Sequence, residues 1–458
     1  MQVNNLNLNG ASTKEIASVV KALKSKGIQF VLSQFVDING VPKAKMVPVS
    51  EFQNLVTNGV GFAGFAVSTE MGQQPHQPDL ITIPDLNTMT VLPWKKNTVW
   101  FAANLYTEGK SWPYCTRTIL DRFLKRVKKE RGLSFKTGIE PEFYLVKREA
   151  GRIRTYDDIE NIAKPCYDLK LLGRNLDFLQ TLNNYLDELG WHSEATDHED
   201  GPAQYEVNIR YDDALATCDK YTFFKFAVSY LAGTMGAVAS FMPKPFTNRT
   251  GNGAHFHMSL WEGTKNLFHD EGDPQKLGLS KTAYHFIGGL LEHAKAYIAL
   301  TAPTVNSYKR LVAGGSASGA TWAPVYISYG GNNRTQMIRV ASGEHIENRT
   351  PDSACNPYLA TTAMLAAGLD GIDRKLDPGP MNKGNMYRTT EKDLEERGIE
   401  LLPGSLKEAV DEFQRDRVSL DALGKEFAEY YAKMKMREWN EYHSTVSQWE
   451  VDRYLTYL

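Results

Sequence analysis

The sequence contains few cysteines and no long apolar run. Four of its 458 residues are cysteine (Cys115, Cys166, Cys218 and Cys355), and no two of them form a Cys-x-x-Cys pair. This pattern argues against a disulfide scaffold and against a structural zinc site. No stretch approaches the roughly 18 consecutive apolar residues of a membrane-spanning helix, and the first fifteen residues show no basic region followed by an apolar segment. We therefore expect a cytoplasmic protein with free thiols and no membrane partner.

Neither sign of charge dominates the chain. Lysine and arginine total 52 against 54 aspartate and glutamate, a net charge of -2, and no block of like charges occurs. A nucleic-acid partner is therefore not predicted, because such proteins carry basic patches. The P-loop pattern G-x-x-x-x-G-K-[ST] is absent too, so any nucleotide site must belong to another architecture.

The length predicts at least two domains, since 458 residues exceed what one core usually supports. A turn-rich break at residues 109–113 separates a small domain, residues 1–110, from a large one, residues 111–458. The small domain is expected to contain a helix capped by Ser12 or Thr13 and ending near Gly27. Its predicted strands are 28–36, the run from the turn at 37–40 to residue 49, and 98–105, with a long, partly irregular segment over 59–93.

The large domain alternates short extended segments with long apolar-striped helices, which predicts an α+β fold. The predicted helices cover residues 117–130, 176–189, 283–300 and 357–372.

Three extended segments carry side chains that can bind metal ions. Two of the segments carry a pair of such residues at positions i and i+2, and the third carries one. Alternate residues of a strand share one face, and the other face of each segment is apolar. The segments are Gly138–Val146 with Glu140 and Glu142, Gln204–Ile209 with Glu206, and Gly253–Leu260 with His255 and His257. A solvated strand face would explain any one of them, but three together, with Pro141 between two glutamates, indicate a site. Glu199 adds a further carboxylate across a turn from Glu206.

This set of side chains predicts bound divalent cations. Carboxylates gathered in one place raise one another's pKa unless cations neutralise them. Oxygen-rich ligand sets with an occasional imidazole suit Mg²⁺ or Mn²⁺ better than zinc, and such ions in turn suit ATP, whose phosphates complete their coordination.

Four arginines supply the complementary charge. They are Arg310, Arg334, Arg339 and Arg349. Guanidinium groups match carboxylates and phosphates in a bidentate manner and can stabilise a phosphoryl group in transfer. A surface salt bridge remains the alternative for any single arginine.

In their order along the chain, these motifs resemble those of the glutamine synthetase family over nearly the whole length. The matching segments are Gly138-Ile-Glu-Pro-Glu-Phe, Gly253-Ala-His-Phe-His-Met-Ser-Leu, Asn306-Ser-Tyr-Lys-Arg-Leu-Val, Asn333-Arg, Ile338-Arg, Glu347-Asn-Arg-Thr-Pro-Asp and Asn356-Pro-Tyr-Leu-Ala. The resemblance implies an N-terminal β-grasp domain and a large catalytic domain with a curved antiparallel sheet and flanking helices. It also implies a homo-oligomer, a dodecamer, with active sites between neighbouring subunits.

The resemblance assigns roles position by position. One metal ion would be held by Glu142, Glu199 and Glu206, and another by Glu140, His255 and Glu347, with two or three ions per site. His257 and Ser259 would contact ATP, and Arg339 its phosphates. Gly251, Arg310, Arg334 and Arg349 would surround glutamate, with Arg310 and Arg334 as catalytic residues and Arg334 near the transferring phosphoryl group. The implied reaction is ATP-dependent formation of γ-glutamyl phosphate, from which an amine displaces phosphate.

Two positions depart from the family pattern at the amine end. The family usually has Phe-Asp-Gly-Ser-Ser where this chain has residues 61–66, and Ala63 replaces the aspartate that helps to bind ammonium. The glutamate expected before Ala323 is Trp322. A less charged, more apolar pocket favours an alkylated amine, so we expect methylamine as substrate and γ-glutamylmethylamide as product.

Two alternatives stay open. Glu70 or Asp79 could supply the missing anion, which would leave a glutamine synthetase that uses ammonium. The second alternative is a non-catalytic structural relative, and the retention of six metal ligands and four arginines argues against it.

Overall fold

The computed structural model describes residues 12–67, 71–149, 151–157, 164–312 and 323–458. Two sheets organise these residues, one with seven strands near the N-terminus and one with eleven strands in the remainder. Of the helices described, none is both long enough and apolar enough to cross a membrane.

The first sheet is mixed, and its central strands β1 and β6 run parallel. Its strands are β1 Phe30–Val36, β2 Pro42–Pro48, β3 Val60–Phe62, β4 Leu80–Pro84, β5 Thr90–Leu92, β6 Lys95–Thr107 and β7 Lys110–Ser111, in the order β2-β1-β6-β4-β3 with β5 and β7 on β6. The helices are α1 Thr13–Ser25, α2 Phe52–Asn58 and α3 Gly64–Val67. Ser12 and Glu15 form a capping box that begins α1. Apolar residues of α1 and α2 pack on Val31, Val99 and Phe101. This sheet and its packed helices have the predicted β-grasp arrangement.

The segment over residues 59–93, predicted to be partly irregular, has more regular secondary structure than its sequence pattern indicates. It contains β3, β4 and β5, of which β4 and β5 pair with β6 and β3 pairs with β4. Strands of three to five residues are too short for a periodic pattern. Here β4 and β5 are stabilised by pairing with the long strand β6, and β3 by pairing with β4.

The second sheet is antiparallel apart from its last pair. Its strands are β8 Leu133–Glu149, β9 Arg152–Thr155, β10 Ser193–His198, β11 Gln204–Ile209, β12 Asp212–Asp213, β13 Val238–Ser240, β14 Ala254–Glu262, β15 Lys265–Asn266, β16 Tyr329–Gly330, β17 Ile338–Ser342 and β18 His345–Asn348. The order is β10-β11-β8-β14-β18-β17-β16, with β9, β12 and β13 on β8 and β15 on β14. Strand β8 pairs with β14 as far as Pro141, and its pairing with β11 starts at Glu142.

Further helices lie in the same part of the chain, and several of them pack on this sheet and bury its apolar residues. They are α4 Thr116–Arg131, α5 Leu169–Arg174, α6 Leu176–Glu188, α7 Ala214–Thr234, α8 Lys281–Glu292, α9 Ala294–Thr301, α10 Pro357–Arg374, α11 Glu391–Arg397, α12 Leu406–Phe413, α13 Arg417–Leu423, α14 Lys425–Ser444 and α15 Gln448–Tyr454. Ile139, Phe256 and Ile346 share a core with residues of α8 and α10. Polar residues that alternate with them on the same strands, including Glu140, His255, His257 and His345, line a large cavity.

The predicted single helix over residues 283–300 is in fact two helices, α8 and α9, which meet at His293. The imidazole of His293 lies 3.0 Å from Asp416 and 2.9 Å from Asp370. An apolar stripe does not reveal such a break, because both helices bury the same type of residue.

Candidate active site

A row of carboxylates crosses three neighbouring strands. Asp197 on β10 lies opposite Glu206 on β11, and Glu206 lies opposite Glu142 on β8. Glu199 follows β10 directly, and potential ligand atoms of Asp197, Glu199 and Glu206 lie within 4.8 Å of one another. Like charges directly opposite each other destabilise a sheet. The row therefore indicates a site for cations rather than a structural feature.

A second cluster adjoins the row and combines carboxylates with imidazole. His255 on β14 lies opposite Glu140 on β8, and Glu347 comes from the next strand, β18. Nδ1 of His255 is 3.4 Å from Oε2 of Glu140 and 3.7 Å from Oε1 of Glu347. Ligand atoms of these three residues also lie within 4.8 Å of one another, as do those of Glu142, Glu206 and His255. His255 therefore lies between the two carboxylate groups.

The Glu347 end of this arrangement, with Glu140 and His255, and the Glu206 end, with Asp197 and Glu199, differ in how their negative charge is compensated. Burial opposes ionisation of Glu347, but the nearby Arg349, His257 and His255 lower its pKa to about 2. Burial likewise opposes ionisation of Glu140, whereas the charges and hydrogen bonds of His257 and His255 hold its pKa well below the usual range. This end therefore carries its own cationic partners.

The row of carboxylates has far less compensation. Burial and the charges of Glu142 and Glu140 raise the pKa of Asp197 to about 6, although Arg334 acts in the opposite direction. Burial and neighbouring carboxylates also raise the pKa values of Glu199 and Glu206 well above their ordinary values. Protons or metal ions must offset this charge, and a set of carboxylate oxygens with one imidazole fits Mg²⁺ or Mn²⁺.

The four arginines occupy three different environments. Arg339 and Arg349 both donate to Glu347, at 2.8 and 2.5 Å. Arg334 is exposed and lines the cavity. Arg310 is buried, donates to the carbonyl oxygens of residues 350 and 349, and is not part of the cavity wall formed by the described residues. Three of the four sequence-predicted arginines therefore line the cavity, and Arg310 lies behind the cavity wall.

Two glycines permit the close approach of Arg310. A Cβ atom at Gly251 would lie 2.3 Å from the carbonyl oxygen of Pro243 and 2.9 Å from Cγ of Arg310. A Cβ atom at Gly253 would lie 2.7 Å from Nε2 of His255. The Gly253 amide also donates to Oε2 of Glu142 at 2.6 Å. A side chain at either position would displace residues of the site.

The cavity has a volume of about 1320 Å³ and extends well beyond the carboxylates. Farther along β8 and β14 its wall contains Lys136, Ser259 and Trp261. Nζ of Lys136 lies 4.6 Å from the Trp261 ring centroid, and Trp261 donates to Oγ of Ser259 at 2.9 Å. His257 and His345, whose ring centroids are 5.0 Å apart, line the cavity between these residues and Glu140. Its size and its charged and aromatic parts fit two substrates at once.

Of the sequence-predicted substrate residues that the structure describes, Gly251, Arg310 and Ala63 are not in this wall. Ala63 immediately precedes α3 in the small domain and does not line the cavity of its own chain. Trp322 lies outside the described residues, as does Glu70. Asp79 is exposed and lies beside Gly61, in the small domain.

The sequence interpretation missed several residues of the site. Asp197 stands two residues before Glu199, and Trp261 continues the alternation of His255, His257 and Ser259, so the spacing already used could have found both. Cys166 and Tyr167 also line the cavity, and Tyr167 has a left-handed backbone (φ 63°). Nothing in the local sequence pattern indicates that this loop reaches the site.

Comparison with known proteins gives matches along almost the whole chain. The family model "Glutamine synthetase, beta-Grasp domain" matches residues 27–108, and "Glutamine synthetase, catalytic domain" matches residues 113–454. A glutamate–methylamine ligase of Methyloversatilis universalis is 45% identical over 437 residues, which cover 95% of this chain and 98% of the relative. A glutamine synthetase of Rhizobium meliloti is 41% identical over 429 residues, covering 93% and 96%. The solved structure "GmaS/ADP complex-Conformation 1" matches with a TM-score of 0.89 and 42% identity over 95% of this chain and 99% of that one.

Proposed function

Because the chain belongs to the glutamine synthetase family, we propose that it is an ATP-dependent ligase that joins the γ-carboxylate of L-glutamate to methylamine. The products are γ-glutamylmethylamide, ADP and phosphate. The observation that carries the proposal is the pair of clusters Glu140–His255–Glu347 and Asp197–Glu199–Glu206 at one cavity. All of these residues except the fully buried Glu347 line the cavity, as do Arg334, Arg339 and Arg349. The similarity to a glutamate–methylamine ligase over 95% of the chain supports it.

In this proposal two groups of residues hold divalent metal ions. Glu142, Glu199 and Glu206 bind one ion, and Glu140, His255 and Glu347 bind another. Asp197 adds a carboxylate to the first group, and the overlap of the ligand sets at Glu206 and His255 is compatible with two or three ions. When bound, Mg²⁺ or Mn²⁺ neutralises phosphate charge and orients the phosphates.

The remaining residues bind and orient the two substrates. His257 and Ser259 contact ATP and Arg339 its phosphates, while Gly251, Arg310, Arg334 and Arg349 surround glutamate. An oxygen of the glutamate γ-carboxylate attacks the terminal phosphorus of ATP as the bond to ADP breaks. Arg334 stabilises the charge on the phosphoryl group in transfer. The amine then forms the C–N bond, loses a proton and displaces phosphate from γ-glutamyl phosphate.

The choice of amine rests on Ala63, Trp322 and the name of the 45% identical relative. The alternative, ammonium as substrate, is favoured by the glutamine synthetases that are about as similar. Values of kcat/KM for methylamine, ethylamine and ammonium, measured in one preparation, distinguish the two. We expect methylamine to have the highest value, and a preference for ammonium would contradict the proposal.

The assembly is proposed to be a dodecamer of 51.5 kDa chains with active sites between subunits. The small domain, residues 1–110, would bring Ala63 to the site of a neighbouring subunit, which agrees with the absence of Ala63 from the cavity of its own chain. The boundary at residue 110 is supported by the two family matches, because the first ends at residue 108 and the second begins at residue 113. Analytical ultracentrifugation measures the subunit number, and a monomer with full activity would contradict the shared site.

The non-catalytic alternative is tested by phosphate release. We expect release that requires ATP, glutamate, an amine and Mg²⁺ or Mn²⁺ together. A protein that releases no phosphate with any of the three amines would be a structural relative instead.

A further inference from the structure

Two separate segments of the candidate site meet beneath the cavity wall. One is the turn between β10 and β11, residues 199–203, which carries Glu199. The other is the segment 250–252, which carries Gly251. Resting on the proposed function, we propose that Asp200, Gln204 and Thr250 form a latch that positions Glu199 relative to Gly251 and couples metal binding at Glu199 to glutamate binding at Gly251.

The first half of the latch joins Asp200 to Thr250. Oγ1 of Thr250 donates to Oδ2 of Asp200 at 2.6 Å, a short hydrogen bond to a carboxylate. The Asp200 amide donates to Oε2 of Glu199 at 3.1 Å. Asp200 and Thr250 are both buried, at 5% and 3% exposure. The orientation of the Glu199 carboxylate therefore depends on Asp200, whose side chain is held by the Thr250 hydroxyl.

The second half of the latch is Gln204. Its Nε2 donates to the carbonyl oxygen of Gly251 at 3.0 Å and to Oδ1 of Asn252 at 3.1 Å. Its Oε1 accepts from the Gly201 amide at 2.9 Å. Gln204 and Asn252 are fully buried. One amide group thus bonds both the turn and the glutamate-binding segment, and displacement of either would leave buried polar atoms without partners.

Tyr144 on β8 contacts both the turn and the segment 250–252. Its hydroxyl donates to the carbonyl oxygen of Thr250 at 2.8 Å, and a Cβ atom at Gly201 would lie 1.9 Å from that hydroxyl. The turn and the segment are therefore both packed against the same buried side chain. Such closely packed, bonded segments move together, which is the physical requirement for energetic coupling between two sites.

The latch is tested with Thr250→Val, which removes the hydroxyl and keeps the shape. In the assembled enzyme we expect the activation constant for Mn²⁺ and the KM for glutamate to rise together by about tenfold, a typical size for such coupling. We expect kcat at saturation to fall less than about threefold and the KM for ATP to change less than about twofold, because neither the reacting groups nor the nucleotide end is altered. Thr250→Ser keeps the hydroxyl and should restore both constants.

A matched control is Thr362→Val. Thr362 is fully buried and donates to a backbone oxygen within α10, at 2.8 Å. This variant should leave both constants unchanged. Asp200→Ala is the second latch variant, and it also covers the case in which Thr250→Val fails to assemble. It should raise the same two constants. The double variant should be no worse than the more damaging single one, because both changes remove the same hydrogen bond between Thr250 and Asp200.

Calorimetric titration of Mn²⁺ with and without glutamate separates failure of the latch from failure of the proposed ligase, because it requires no turnover. In the unaltered protein glutamate should tighten Mn²⁺ binding, and in Thr250→Val this effect should disappear. If Mn²⁺ affinity did not respond to glutamate in the unaltered protein, or if only one of the two constants rose in the variant, the coupling would be refuted. Equal damage from Thr250→Ser and Thr250→Val would refute the role of the hydroxyl.

Discussion

At the scale of single residues, Glu347 and Glu140 hold their charge in different ways. Glu347 is fully buried and accepts from two arginines, whereas the side chain of Glu140 is 21% exposed at the cavity and pairs with two histidines. The two glutamates belong to one proposed metal site. Their substitutions should nevertheless differ in effect, because only Glu347 also neutralises two guanidinium groups, of which that of Arg349 is buried.

We expect Glu140→Gln and Glu347→Gln each to lower metal-dependent phosphate release by more than about a hundredfold, through loss of a metal ligand. Glu347→Gln should also destabilise the protein by about 3–5 kcal/mol, since Arg339 and Arg349 lose their buried counter-charge. Glu140→Gln should cost much less. Activity assays and urea unfolding of both variants measure the difference. Equal stability of the two would show that the arginines find other partners, and undiminished turnover would remove either glutamate from the site.

At the scale of elements, α8 and α10 pack through glycines. A Cβ atom at Gly289 would lie 2.0 Å from the carbonyl oxygen of Ala367, and one at Gly371 would lie 2.2 Å from that of His285. The obstructing atoms are backbone, so they cannot move aside as a flexible side chain would. The two helices lie behind the sheet that carries the site, and their close contact depends on residues without side chains.

Gly289→Ala should therefore destabilise the protein by at least about 1–3 kcal/mol, the usual cost of overpacking a core. Gly173→Ala is the control, because Gly173 is an exposed residue of α5 with no atom near the added Cβ. That change should be neutral or stabilising by about 0.5–1 kcal/mol, since alanine favours a helix. Thermal unfolding of both variants provides the comparison. A lower Tm for Gly173→Ala than for Gly289→Ala would contradict the packing argument.

The junction of α8 and α9 contains a pH-dependent contact. Burial by itself lowers the pKa of His293, but hydrogen bonds with Asp416 and Asp370 and their charges outweigh it, so the pKa is raised. Arg374 also donates to Asp370, at 2.9 Å, and competes for that carboxylate. The charged imidazole joins the junction to α10 and to the start of α13. Protonated His293 therefore stabilises the folded state.

Because the folded pKa exceeds the unfolded value of about 6.5, this contribution is complete below that pH and is lost as the pH rises through the folded pKa. We expect the free energy of unfolding to fall between pH 6 and pH 8.5, and to fall less in His293→Gln. Urea unfolding at the two pH values measures both. An unchanged pH dependence in the variant would mean that other groups account for it.

At the scale of the whole molecule, Arg117 connects the two sheets. From the start of α4 it donates to Asp85 and Asn104 of the small domain, at 2.9 and 3.1 Å, and to both carboxylate oxygens of Asp219 on α7, at 2.9 Å each. Tyr358 of α10 donates to the same Asp219 at 2.7 Å. One buried guanidinium group therefore holds the small domain, α4 and α7 together.

We expect Arg117→Met to destabilise the protein by about 3–5 kcal/mol, because Asp219 would remain buried without its partner. Arg131→Met should change stability by about 0–1 kcal/mol, since its pair with Asp373 is on the surface. Differential scanning calorimetry compares the two, and the small domain of Arg117→Met should unfold at a lower temperature than the large one. A single unshifted transition would show that the other contacts between the domains suffice.

Periodicity in the sequence predicted those elements that are long or that alternate strongly. It predicted α1, α6 and α10 to within a few residues and β11 with its observed bounds. It missed β3, β4 and β5, and it joined α8 to α9. Short strands and helix breaks depend on partners outside the segment itself, residues of β4 and β6 in the first case and Asp370 and Asp416 in the second, so the pattern within the segment does not contain them.

The sequence by itself determined the chemistry of the site: the residues that share a strand face, the carboxylate and imidazole composition, the four arginines and the family. These follow from alternation and motif order, which are local properties. Only the tertiary structure decided that Asp197 joins the carboxylate row, that Arg310 lies behind the cavity wall, and that the Glu347 end is neutralised while the Glu206 end is not. Strand register, burial and charge compensation depend on residues that are distant in sequence and adjacent only after folding.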